Sequence, residues 1–274
     1  MANQSRKIAF IGGGNMASAI VGGLIRQGTP PANIQIIEPL EAQRATLRQA
    51  FGAEVHDAPG LTLAHAELVV WAIKPQTFKD AALQTRFHTK NALHLSVAAG
   101  IRSDSIARWL GTQRIVRSMP NTPALVGQGM TALFAREAVT EGDRAFVEQV
   151  IATTGEHVWL DDENHLDAVT ALSGSGPAYV FYFIEAMVEA GIDMGLTRAQ
   201  ARKLAVGTFT GSSALAKASD EAPEVLRARV TSKGGTTYAA ITSMEQDRVK
   251  MLFMRAIHAA KQRARELGDE FGAV

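Results

Sequence analysis

An apolar run reaches three glycines at Phe10-Ile-Gly-Gly-Gly-Asn-Met-Ala-Ser-Ala19 and turns at once into small, helix-compatible residues. Within it, Gly12-x-Gly14-x-x-Ala17 has the spacing of a turn that brings backbone close to a pyrophosphate. The first glycine permits the tight turn, the second lets the phosphates approach, and Ala17 allows close helix packing. Free N–H groups at the helix start, aided by its dipole, would hold the negative charge. Glycines serve a plain strand-to-helix turn equally well, so the motif alone leaves both readings open. Glu38 closes the next strand-like run, 24 residues past Gly14. An acid there would accept hydrogen bonds from a ribose 2′-hydroxyl and repel a 2′-phosphate, which leans the cofactor choice towards NADH. Arg44, in the following helix, would suit a 2′-phosphate instead.

Four further stretches have types and spacing fit for binding: Ala72-Ile-Lys-Pro-Gln76, Arg117-Ser-Met-Pro-Asn-Thr-Pro-Ala124, Ala171-Leu-Ser-Gly-Ser-Gly-Pro-Ala-Tyr179 and Val230-Thr-Ser-Lys-Gly-Gly-Thr-Thr237. The first two directly follow predicted strands, at the sheet edge where open α/β folds take ligands. The last two precede helices and offer clustered backbone donors. Loop-shaping prolines and ordinary helix caps would explain each singly; four in one chain make that reading hard to keep.

Short apolar runs and helix-like stretches alternate over the first 160 or so residues. Ile8–Ile11, Ile34–Ile37, Leu68–Ile73, Leu93–Val97 and Ile115–Val116 read as strands, as do Met130–Ala135 and His157–Leu160. Segments such as Ala17–Gln27 and Glu41–Phe51 read as helices closed by Gly28 and Gly52. Near-continuous apolar strands between helices predict a parallel sheet covered on both faces. From about Asp162 helical patterns take over. Pro177 opens a helix over Ala178–Ala190 with Gly191 as its stop, and Thr197-Arg-Ala-Gln200 is a capping box for a helix towards Ala218. Val249, Leu252, Phe253, Ala256, Ile257, Ala260, Ala264 and Leu267 share one face of a last helix ending before Gly268. The expected fold is thus α/β: a Rossmann-like dinucleotide-binding domain over 1–162 and an all-α domain over 163–274.

With the N-terminal GGGNM, the segments MPNTPA, SGSGPAY and TSKGGTT resemble the pyrroline-5-carboxylate reductase family along essentially the whole chain. The resemblance implies reduction of the ring C=N bond of 1-pyrroline-5-carboxylate by NADPH or NADH, giving L-proline. It also implies a helical domain that builds a homodimer, in many members assembled further into a decamer. Carried over by motif, Gly12, Gly14, Asn15 and Met16 would hold the pyrophosphate, with Glu38 at the ribose. Ile73, Lys74 and Pro75 would line the nucleotide, and Ala98, Ala99 and Gly100 would lie near the nicotinamide. Ser232, Gly234, Gly235, Thr236 and Thr237 would grip the substrate, Thr237 supplying the hydroxyl closest to the ring nitrogen. Lys233 departs from the proline of many relatives, and Ala58-Pro59 stands about where relatives often carry an asparagine at the cofactor ribose. Another reductase of this architecture, acting on a different imine or a 2-keto or hydroxy acid, would be favoured by a catalytic Lys or Asp in the helical domain. Lys203 is the one lysine early in its long helix, in an unremarkable context. A non-catalytic nucleotide-binding regulator is the third reading; intact Gly234, Gly235 and Thr237 argue against it.

Composition narrows the field. Among 274 residues, 46% are hydrophobic and 20% charged, as in a globular protein. Net charge is +1 with no basic run, so no nucleic-acid footprint is expected. The chain has no cysteine, which excludes disulfides and thiolate chemistry. None of the seven histidines falls in a motif, and no metal-ligand spacing is found. The longest greasy segment, Ala178 to Ile192, is broken by Glu185 and Glu189, so no membrane span is expected. The apolar stretch before the glycines is too short for a signal peptide, and a cytoplasmic protein is the default. The Ala178–Ala190 helix is apolar nearly all round and should be covered by a partner subunit. The loop at Ser232–Thr237 is then expected to meet the nucleotide domain of the other subunit.

Overall fold

The computed structural model describes residues 6–272. The chain forms two compact units: one runs to Gly174 and resumes at Ala260, and the other is Ser175–Ala259. Residues 163–174 and 260–272 therefore belong to the unit that holds the sheet, although the sequence division at 162 puts them in the helical half.

Among the described residues the first unit holds eight strands: β1 (Ile8–Ile11), β2 (Ile34–Ile37), β3 (Glu54–His56), β4 (Leu68–Trp71), β5 (Leu93–Ser96), β6 (Ile115–Met119), β7 (Gly129–Ala135) and β8 (Gly155–Trp159). Their order is β3-β2-β1-β4-β5-β6-β7-β8. Interleaved are α1 (Asn15–Arg26), α2 (Glu41–Phe51), α3 (Pro75–Thr85), α4 (Ser103–Leu110), α5 (Glu141–Ile151) and α6 (His165–Val169). The period-2 alternation of β1 feeds two separate cores. Ile8 and Phe10 join α1 and α5 residues such as Ile20, Leu24 and Val147. Ala9 and Ile11 join Phe78 of α3 and Ile106 and Trp109 of α4. A sheet covered on both faces is what near-continuous apolar strands require.

Two departures from the sequence reading concern the sheet. Its strands are parallel except at one pairing, where β7 runs antiparallel to β6. Only a short turn of helix, Thr122–Val126, separates them, and a parallel return needs a crossover of a dozen residues or more. The edge strand β3 was missed because three residues with one buried side chain carry no readable period.

On β5, His94 is wholly buried and accepts the Trp71 Nε1–H at its Nδ1, 3.1 Å away. Burial pushes this imidazole down from 6.5 to about 4, against a backbone hydrogen bond at Thr89 that favours the charged form. It is a neutral structural histidine.

The second unit consists of α7 (Gly176–Asp193), α8 (Arg198–Lys217), α9 (Pro223–Arg229), α10 (Thr236–Gln246) and the first part of α11 (Val249–Gly272). The capping box opening α8 forms as expected, Thr197 and Gln200 bonding each other's backbone. Two helix ends differ. α7 runs past Gly191 to Asp193, and the turn falls at Gly195, whose φ is +95°. Gly191 is instead a packing residue: a Cβ there would lie 2.8 Å from the Ala201 Cβ of α8. α11 likewise runs through Gly268 to Gly272. The buried core of this unit is only Val188, Ala201 and Ala205, with Ile184 and Ile192 against it. Phe181, Tyr182, Leu204 and Leu215 are all more than half exposed.

Candidate active site

β1, β2, β4 and β5 all end at one edge of the sheet, where strand order reverses between β1 and β4. The first glycine turn is built there. Gly12 takes φ +96° and donates its N–H to Ile37 O at 2.8 Å. A Cβ on it would lie 2.4 Å from the Ala72 carbonyl oxygen, so only glycine fits. Gly14 differs: nothing lies within 4 Å of a Cβ placed on it. It is exposed and N-caps α1 without any side-chain cap. The helix's own bonding begins at Ser18 N–H to Gly14 O, leaving the N–H groups of Asn15, Met16 and Ala17 without intrahelical acceptors. An open cradle above unspent donors at a helix N-terminus fits a diphosphate.

Glu38 behaves unlike a free strand-end acid. It is buried, and its carboxylate accepts the Gly13 N–H at Oε2 and the Leu40 N–H at Oε1, each at 3.0 Å. Gln43 Nε2 donates to Gly13 O at 2.7 Å, completing the grip on the turn. Arg44 is also spent on its own chain: its guanidinium donates to the carbonyls of Glu38 and Pro39 and pairs with Glu41. Both side chains thus help to fix the loop.

Lys74 precedes α3 and Pro75 occupies its first position; Lys74 is exposed, Ile73 and Pro75 half-buried. The turn after β5 starts with Val97 N–H bonded to Trp71 O and Ala98 N–H bonded to Ser96 Oγ. Ala98 is buried, Ala99 partly so, and Gly100 turns the chain with φ +78°. All eleven cofactor-side residues thus lie on the loops and helix starts at this one sheet edge.

The substrate-side residues belong to the other unit. Gly234 has φ +75°, Gly235 donates to Ser232 O at 3.0 Å, and Gly235 N-caps α10 without a side-chain cap. The first helical bond is Ala239 N–H to Gly235 O. The N–H groups of Thr236, Thr237 and Tyr238 therefore stay unspent by the helix beside two Thr hydroxyls, a donor set for a carboxylate. Ser232, Lys233, Gly234, Thr236 and Thr237 are exposed. Lys203 is exposed on α8.

Sequence reading found MPNTPA and SGSGPAY but not the joint between them. Asn121 donates from Nδ2 to Ser173 O at 3.1 Å and accepts the Met130 N–H at 2.9 Å. The accepting segment, Thr170–Gly174, is a wide π turn, a feature common at functional sites. It also missed Glu163, whose carboxylate accepts the Ser103 N–H and hydroxyl, each at 2.6 Å, and pairs with buried Arg117. A cap supplied from 60 residues away leaves no local signal.

Two family models match the chain: pyrroline-5-carboxylate reductase dimerisation over residues 163–267, and NADP oxidoreductase, coenzyme F420-dependent, over residues 7–100. It is 42% identical over 268 residues to a pyrroline-5-carboxylate reductase of Pseudomonas aeruginosa, covering 97% of this chain and 98% of that one. A pyrroline-5-carboxylate reductase structure from Coxiella burnetii aligns with a TM-score of 0.90 at 36% identity, over 96% of this chain and 98% of that one. The Plasmodium falciparum pyrroline carboxylate reductase, solved with NADP bound, aligns at 0.87 and 27% identity, over 97% and 99%.

Proposed function

This chain belongs to the pyrroline-5-carboxylate reductase family, and we propose on that premise how its residues divide the reduction of 1-pyrroline-5-carboxylate to L-proline, the last step of proline biosynthesis. It is an oxidoreductase acting on a CH–NH group with NADPH or NADH. The cofactor, when bound, supplies the hydride delivered to the ring carbon of the C=N bond. The chain's task is to hold two partners in register and to complement charge.

On the cofactor side, Gly12 shapes the turn, Gly14 leaves the approach open, and the N–H groups of Asn15 and Met16 meet the pyrophosphate. Ile73, Lys74 and Pro75 line the nucleotide, and Ala98, Ala99 and Gly100 seat the nicotinamide. Glu38 contributes chiefly by holding Gly13, so both forms of the cofactor are expected to serve. On the substrate side, Ser232, Gly234, Gly235 and Thr236 bind the carboxylate through the α10 N-terminus. Thr237 Oγ1 hydrogen-bonds the ring nitrogen, a role a hydroxyl fills before and after reduction because it both donates and accepts. The imine is basic enough to arrive protonated, so no separate acid is assigned. The observation that carries this division is the pair of uncapped, glycine-preceded helix N-termini, at Gly14 and Gly235.

A dimerisation domain is present. We propose that a homodimer is the minimal active unit, that dimers assemble into a decamer, and that Ser232–Thr237 of one subunit completes the nucleotide site of the other. The exposed Phe181, Tyr182, Leu204 and Leu215 beside so small a buried core support a partner surface of this kind. The proposed roles are nucleotide binding up to residue 162 and dimerisation and substrate binding after it, with residues 163–174 and 260–272 packed in the nucleotide-binding unit. Among the described residues no helix is long and apolar enough to cross a membrane; a cytoplasmic enzyme without nucleic-acid or membrane partners is the reading proposed.

The test is oxidation of NADPH and NADH, followed at the nicotinamide absorbance, with racemic 1-pyrroline-5-carboxylate and proline measured as product. Tight cofactor binding without oxidation would move the substrate to a related imine or keto acid.

A further inference from the structure

The Ala98–Gly100 turn is gripped by the last turns of α11. Gly268 lies inside that helix, where glycine is less favourable than alanine, and it is buried. The reason is a glycine-to-backbone contact: a Cβ on Gly268 would lie 3.3 Å from Gly100 O, and one on Gly100 would lie 3.5 Å from Leu267 Cβ. Asp269 pairs with Arg102, two residues past the turn. Ser105 Oγ and Arg108 Nη2 both donate to Gly272 O at 3.3 Å, closing the helix end, and Phe271 packs into the core beneath α4. From the other side Glu163 caps α4 at Ser103, while Arg136 Nη1 donates to the Ser103 hydroxyl at 2.9 Å. Besides its own bond from Ala98 N–H to Ser96 Oγ, the turn and the start of α4 are therefore held by segments distant in sequence, the end of α11 above all.

We propose that the Gly268–Asp269 end of α11 is a positioning element for hydride transfer, holding the Ala98–Gly100 turn through backbone contact with Gly100 and the Arg102–Asp269 pair. This rests on the reading of that turn as the seat of the nicotinamide. The brace acts through the turn and touches neither reactant. It governs the rate of transfer and leaves cofactor affinity to the diphosphate end.

Two variants test it: Gly268→Val, which pushes bulk against Gly100 O, and Asp269→Lys, which reverses the exposed partner of Arg102 and keeps the assay meaningful should the first fail to fold. In each, kcat is expected to fall about tenfold or more, since an ångström of misplacement can cost a hundredfold. KM for the cofactor should change by less than about twofold on the same argument. The deuterium isotope effect on kcat should rise as transfer becomes limiting. Amide exchange across 98–103 in the cofactor-free protein should quicken. Ala99→Leu, inside the turn, separates the two layers of the argument. If it lowers kcat while both α11 variants leave kcat, isotope effect and exchange unchanged, the brace is refuted and the nicotinamide seat stands. If Ala99→Leu is silent as well, the seat is wrong and the proposal falls with it. A loss of thermal stability with kcat and isotope effect unchanged in the folded fraction would reduce the contact to packing and also overturn it.

Discussion

The Glu38 carboxylate accepts the Gly13 N–H at 3.0 Å, so the acid closing β2 is a buried strut for the glycine turn that follows β1. Its other oxygen holds the Leu40 N–H. Glu38→Gln keeps one acceptor for two backbone donors and faces the second with an NH2 group. Unfolding of the cofactor-free protein by urea should show a loss of about 1–3 kcal/mol, the cost of stranding a buried donor. A residue serving only the ribose would leave that midpoint unmoved.

The two motif glycines should part company on substitution. Gly12→Ala meets the Ala72 carbonyl at 2.4 Å in a φ of +96° and should cost more than about 3 kcal/mol or abolish folding. Gly14→Ala has free space and an ordinary φ of −73°. It should fold normally and raise the NADPH dissociation constant about tenfold or more, because the methyl occupies the phosphates' approach. Calorimetry and cofactor titration read both.

Thr237→Ala should lower kcat by about 10²–10³, the usual cost of removing one hydrogen bond to a reacting centre. NADPH affinity, measured by fluorescence titration, should stay unchanged. Thr237→Ser should recover most of the rate. Unaltered turnover in the alanine variant would remove the hydroxyl from the mechanism.

His94 makes stability depend on pH. Its folded value of about 4 lies below the ordinary 6.5, so the unfolded chain binds the extra proton first on acidification. The native state is therefore fully favoured above 6.5 and loses stability as pH falls towards 4. The loss should reach roughly 3 kcal/mol. His94→Asn keeps an acceptor for the Trp71 N–H but does not titrate, and should flatten this part of the profile in equilibrium unfolding.

Phe181→Glu with Tyr182→Glu places charge on the exposed face of α7. Light scattering should show dissociation to monomers, and those monomers should be inactive while retaining cofactor binding. A fully active monomer would refute the shared site.

Local chemistry was legible in the residues themselves. β1 and β2 fall where Ile8–Ile11 and Ile34–Ile37 were read, α2 ends at Gly52 with φ +62°, and Thr197 and Gln200 form the box that opens α8. Each is set by side chains within a few residues, through alternation, a left-handed glycine or a reciprocal cap. The reversed β7 was hidden because strand direction depends on how far the connection must reach, not on the apolar run. Gly191 and Gly268 looked like helix stops because a glycine's reason is unreadable when the atom it makes room for lies elsewhere in the chain, on Ala201 or Gly100. The same holds for Glu38: sequence marks an acid at the end of β2, but only the packed turn shows its carboxylate committed to the backbone. Short-range periodicity and turn chemistry thus determined the elements and the motifs. Burial, which decides which polar group must find which partner, belonged to the tertiary structure alone.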